Sequence, residues 1–89
     1  MTKYIAIAQV AKAEWVEEFN ERMGGYLCHR EVVGEFTNQT FEVEAKNNRS
    51  AKTKCSYHEY GLGVVVVRSI ELTNTETGEV FYKENGQWN

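Results

Sequence analysis

Apolar and polar residues alternate along most of this chain, and the alternation predicts a sheet. Tyr4, Ala6 and Ala8 fall on one side of a strand over Tyr4–Val10, with Ile5 and Ile7 on the other. Thr40–Lys46 alternates in the same way, Phe41, Val43 and Ala45 against Glu42 and Glu44, as a strand with one wet face does. Tyr26–Phe36 reads as a further strand with an irregularity at Gly34, and Thr37, Asn38 and Gln39 as a turn. Leu62–Thr73 contains four consecutive valines, Val64 to Val67, which places that strand centrally with both faces covered. Asn74–Gly78 then forms a hairpin loop into Val80–Glu84, and Asn85 with Gly86 makes a two-residue hairpin that returns the chain through Trp88.

Two stretches break the alternation. Lys12–Met23 places Trp15, Val16, Phe19 and Met23 on one helical stripe, with Glu14, Glu17, Glu18 and Glu21 on the other side, and Gly24–Gly25 as its end. A rival reading runs this helix unbroken from Thr2 to Met23. The second helix covers residues 48–60, capped by Asn47 or Asn48 and stopped by Gly61. Its buried stripe of Ala51, Cys55 and His58 is narrow and small, so this helix should lie close on the sheet.

The expected fold is α+β in one domain, residues 1–89. It is a curled antiparallel sheet of about five strands, with the 48–60 helix packed on it and an added N-terminal strand and helix (12–23). The expected core is Ile5, Ile7, Trp15, Phe19, Phe41, Val43, Ala51, Cys55, Val64, Val66, Ile70 and Val80.

Composition narrows the chemistry. The chain of 89 residues has 42% hydrophobic and 26% charged positions, as soluble domains do. No apolar run reaches the ~20 residues of a membrane helix, and no signal-peptide pattern opens it, so a cytoplasmic location is expected. All thirteen acids are glutamates. Aspartate-based metal loops and aspartate-containing triads are therefore excluded.

The cysteines and histidines fall in two pairs, Cys28 with His29 and Cys55 with His58. Four such ligands would suit tetrahedral zinc, but neighbours on a strand point to opposite faces, so no metal and no other cofactor is expected. A Cys28–His58 nucleophilic pair lacks any sign of an oxyanion hole or nucleophile elbow, so no enzyme is expected.

Charge is unevenly spread. Residues 1–45 hold four Lys/Arg against eight Glu, and residues 46–89 hold six against five. Lys46, Arg49, Lys52 and Lys54 cluster without an acid among them, and Tyr57, Tyr60 and Tyr82 could add stacking surfaces. This basic spot is a candidate contact for a partner, or for nucleic acid as the second choice. The glutamates at 14, 17, 18 and 21 form a candidate acidic contact face.

One stretch carries a family likeness. Phe41 to Ala45, Ser50 to Lys52, Val67 to Ile70, Tyr82 to Gly86 and Trp88 follow one another in an order that resembles a small phage anti-CRISPR protein of the type I-F group. The likeness spans roughly residues 39–88. The first 25 residues have no counterpart in it, and Asn74–Gly78 looks like an insertion. It implies a non-enzymatic phage or mobile-element inhibitor that acts in the host cytoplasm. Such a protein sits on a bacterial CRISPR surveillance complex and blocks target binding by steric occlusion. By position, Lys46, Arg49, Lys52, Lys54, Tyr57 and Tyr82 would be the partner-binding residues. The acidic face would suit a groove lined by Lys and Arg.

Overall fold

A computed structural model describes all residues, 1–89. It is a six-stranded, open antiparallel sheet with one helix, hence α+β with the sheet dominant. No helix is long and apolar enough to cross a membrane.

The sheet is built on β1, Thr2–Asn20. A straight strand of 19 residues at ~3.3 Å per residue would span ~60 Å, and the molecule is 53 Å along its longest axis, so β1 bends. Along one edge of β1 run β3 (Thr37–Ala45), against Thr2–Val10, and β2 (Gly25–Val32), against Ala13–Asn20. Along the other edge β4 (Val65–Asn74) pairs with Tyr4–Lys12. β5 (Val80–Glu84) pairs with Ser69–Thr73 of β4, and β6 (Gln87–Trp88) closes the final hairpin.

The predicted helix over residues 12–23 is therefore corrected. Residues 12–20 continue β1, and Glu21–Gly24 turn into β2. Asn20 organises that turn: its side-chain oxygen accepts from the Arg22 and Met23 amides, and Gly24 adopts φ +65°. A helix here would need a surface for its Trp15–Phe19–Met23 stripe, and no other element offers one. Pairing with β2 satisfies the backbone without it, and sets Phe19 edge-on to Tyr26 at 5.5 Å.

Four other boundaries also move. The strand expected over Tyr26–Phe36 ends at Val32. The turn expected at Thr37, Asn38 and Gln39 is instead the start of β3, where these residues pair with Val10, Gln9 and Ala8. The helix expected over residues 48–60 is α1, Asn48–Ser56. It is capped by Asn47, whose side chain accepts from the Ser50 amide at 2.9 Å, and it closes at Tyr57 before Gly61 is reached. The strand expected from Leu62 begins at Val65.

The core lies between α1 and the sheet, and it inverts part of the expected face assignment. Tyr4, Ala6, Ala8 and Val10 are buried beneath the helix side, while Ile5 and Ile7 lie half-exposed on the uncovered face. Ala51 and Cys55 bring α1 close to the sheet, so alanines fit beneath it. Val43, Ala51, Cys55 and Ile70 are core residues as expected, and Phe41 packs against them. Val64 and Val66 are half-buried, whereas Trp15, Phe19 and Val80 are exposed. The Tyr4 hydroxyl donates to Asn48 Oδ1 at 2.7 Å, which fixes the start of α1 over β1.

This arrangement predicts that Ala8→Leu, which overfills a closed site, destabilises by about 1–3 kcal/mol. Ile7→Thr, on the open face, should cost less than ~1 kcal/mol. Urea denaturation of both variants checks the order; a larger loss for Ile7→Thr would contradict the face assignment.

Candidate functional site

Two features stand outside the requirements of the core. The first is the arm, the two-stranded ribbon formed by Ala13–Asn20 and Gly25–Val32. An isolated two-stranded hairpin is marginal in water unless something covers it. Yet Trp15, Phe19, Met23, Tyr26 and Leu27 are all exposed here, Trp15 at 63% and Tyr26 at 69%. Strand alternation puts Trp15, Glu17 and Phe19 on one face with Tyr26, Cys28 and Arg30. Glu14 and Glu18 share the other face with His29 and Glu31. The expected single acidic face is thus split between two faces, with Glu21 in the turn. All four glutamates remain exposed on the arm.

With its turn, the arm (residues 13–32) holds five glutamates against two arginines, so the formal net charge of the whole chain, −3, resides there. Glu18, His29 and Glu31 bring one ligand atom each within 4.8 Å of one another, and His29 Nε2 lies 3.4 Å from Glu31 Oε1.

The second feature is a cleft of about 550 Å³ between the C-terminal end of α1, the segment His58–Tyr60, the first half of β4 and the Asn85–Gly86 turn. A register shift opposite Gln9 and Val10 leaves Arg68 unpaired with β1. β5 begins pairing only at Ser69, so the outer edge of β4 before it is free. Arg30 reaches in from the arm, its Nη1 donating to the Val65 carbonyl at 2.8 Å. Arg68 lies 3.8 Å above the Phe36 ring, and Lys83 Nζ donates to Ser56 Oγ at 3.0 Å. No carboxylate lines the cleft.

At its base, the His58 ring stacks on Phe41 with centroids 3.7 Å apart, and Tyr60 meets both edge-on. The Tyr60 hydroxyl is buried without a hydrogen-bond partner. Burial, and secondarily Cys55, push its pKa up. Burial also pushes the Cys55 thiol up to about 11, against a smaller downward pull from Lys83.

In the basic spot predicted at the start of α1, Lys46, Arg49, Lys54 and Tyr57 are exposed and Lys52 is half-buried. Lys52 lies 4.5 Å from the Phe81 ring centre and 5.7 Å from that of Trp88. The Lys54 ammonium donates to the Glu44 carbonyl. Tyr82 sits on the sheet face opposite α1, since its neighbour Phe81 packs on the helix side. The two Cys–His pairs stay apart: Cys28 is exposed on the arm, with Sγ 3.8 Å from Glu17 Oε1, and Cys55 is buried on the sheet-facing side of α1. Arg30, Arg68 and Lys83 escaped the sequence reading, because no local pattern links them. Only the curl of the sheet brings them together.

No protein-family model matches this chain, and neither the curated proteins nor the solved structures contain a match to it.

The two cysteines differ enough to be told apart. Cys28 should react with a thiol reagent at pH 8 in the folded protein, and Cys55 only on unfolding. A thiol held protonated by the fold stabilises fully below its ordinary value of 9.0, and that contribution is lost as pH rises towards about 11. Stability should therefore fall by on the order of 2 kcal/mol across that interval. In a Cys55→Ala variant this part of the fall should vanish; an unchanged pH profile would refute the assignment.

Proposed function

We propose that this chain is a non-enzymatic binding protein that docks through its arm on a basic surface of a larger assembly. The observation that carries this reading is the ribbon itself. It exposes Trp15, Phe19 and Tyr26 and holds the net negative charge, while burying almost nothing of its own. Rigid aromatic side chains supply contact area at low entropic cost, and carboxylates around them favour a surface lined by Lys and Arg.

The assembly we propose is a bacterial CRISPR surveillance complex, with occlusion of the target-binding groove as the mode of inhibition. That part rests on the likeness over residues 39–88. The arm lies outside the likeness and adds a contact that it does not contain. Grooves that hold nucleic acid are basic, which fits an acidic arm. The exposed Lys46 and Arg49 would then contact the assembly at the opposite end of β1, with Tyr57 further along α1.

A purified type I-F surveillance complex and a labelled DNA target test both parts. The wild-type chain should abolish target binding when added first. Trp15→Ser with Phe19→Ser should weaken inhibition at least tenfold, with the urea midpoint nearly unchanged, as exposed sites require. Replacing Glu14, Glu17, Glu18 and Glu21 by Gln should weaken it further at low salt than at high salt. Full inhibition by the aromatic double variant would remove the arm from the mechanism. Undisturbed target binding with the wild-type chain would remove the CRISPR assignment.

A further inference from the structure

We infer that the cleft beside β4 is a binding site for a phosphate-bearing ligand of about nucleotide size. This inference is independent of the docking of the arm. It starts from an imbalance. The chain has ten Lys/Arg and thirteen Glu. Three of the cations, Arg30, Arg68 and Lys83, line one cleft, and none of the glutamates does.

Their charges are also unneutralised. The molecule's ion pairs are Lys3 with Glu42 and His29 with Glu31, and neither involves the cleft. Instead each cleft cation is held by a neutral group: Arg30 by the Val65 carbonyl, Arg68 by the Phe36 ring, Lys83 by the Ser56 hydroxyl. Neutral partners orient a cation without cancelling its field, which leaves a preorganised positive site.

The backbone adds a donor. The Ala13 amide donates to the Val64 carbonyl, so the polar groups of Val65 point away from β1, to the edge that β5 leaves open. Arg30 occupies the Val65 carbonyl, which leaves the Val65 amide on that open edge without a strand partner. Three cations beside a free amide are complementary to an oxyanion with several acceptor oxygens. Phosphate meets that description, and arginine and lysine recognise it well. The size, about 550 Å³, suits a mononucleotide rather than a bare ion. His58, which lines the same cleft, is already stacked on Phe41.

The same phosphate chemistry arises in a free nucleotide and in one unit of a single strand, and the test separates them. Amide spectra of the labelled protein are recorded with AMP, with an eight-residue oligouridylate and with inorganic phosphate. With AMP or the oligouridylate, shifts should concentrate at residues 65–69 and His58. Saturation by AMP assigns a free nucleotide. Shifts with the oligouridylate alone assign a strand.

Lys83→Gln and Arg68→Gln should each weaken binding about tenfold, while their spectra elsewhere overlay the wild type. Lys3→Gln, far along β1, should leave the affinity unchanged. Three outcomes overturn the site: no cleft shifts at 10-fold excess over millimolar protein, shifts confined to the α1 lysines, or a response to inorganic phosphate only.

Discussion

The structure depends on the backbone of β1 being paired along nearly the whole of one edge and along the N-terminal half of the other. A strand of this length exposes two rows of polar groups, and leaving them buried and unpaired would cost more than the small core returns. β3 and β2 satisfy one row in succession, and β4 satisfies the N-terminal half of the other. Every other element is placed by that pairing. α1 crosses from the end of β3, and the final hairpins extend the sheet outward from β4. The polar link from Tyr4 through Asn48 to the buried Asn74 then ties strand, helix and loop at one point.

How much of this was legible in the sequence depended on where the deciding contact lay. β3, the last hairpins and the Asn-capped helix are specified by neighbours a few residues away, and each forms in its expected place, although β3 begins three residues earlier, at Thr37, and α1 stops at Ser56. The C-terminal half of β1 is not specified that way. Trp15, Val16, Phe19 and Met23 fit a helical stripe, and the strand wins because its partner follows after the Gly24–Gly25 turn. The face of β1 was misread for a related reason. Hydrophobicity alone favours burying Ile5 and Ile7. The close approach of α1 through Ala51 and Cys55 gives the covered side to alanine instead. Burial is decided by the shape of the opposing surface as well as by apolarity.

The candidate surfaces follow the same rule. Lys46, Arg49, Lys52 and Lys54 stand out as a cluster in sequence, but folding uses Lys52 and Lys54 to cover rings and a carbonyl. Arg30, Arg68 and Lys83 come from three distant strands and meet only because the arm curls toward β4 and the bulge frees Arg68. The charge that remains available on a surface is what is left after the fold has used its share.

One consequence of the arm concerns its solubility. Beyond Ala13 the strand has a bare edge on the β4 side, and aromatic residues stand on its face. Bare aromatic edges recruit one another and grow into stacked sheets. The glutamates that alternate with Trp15 and Phe19 prevent this, since two such ribbons brought side by side would align like charges. On the proposed docking, the carboxylates that would attract a basic surface would also keep identical molecules apart. Discrimination at this ribbon would then be as much a matter of whom it repels as of whom it holds.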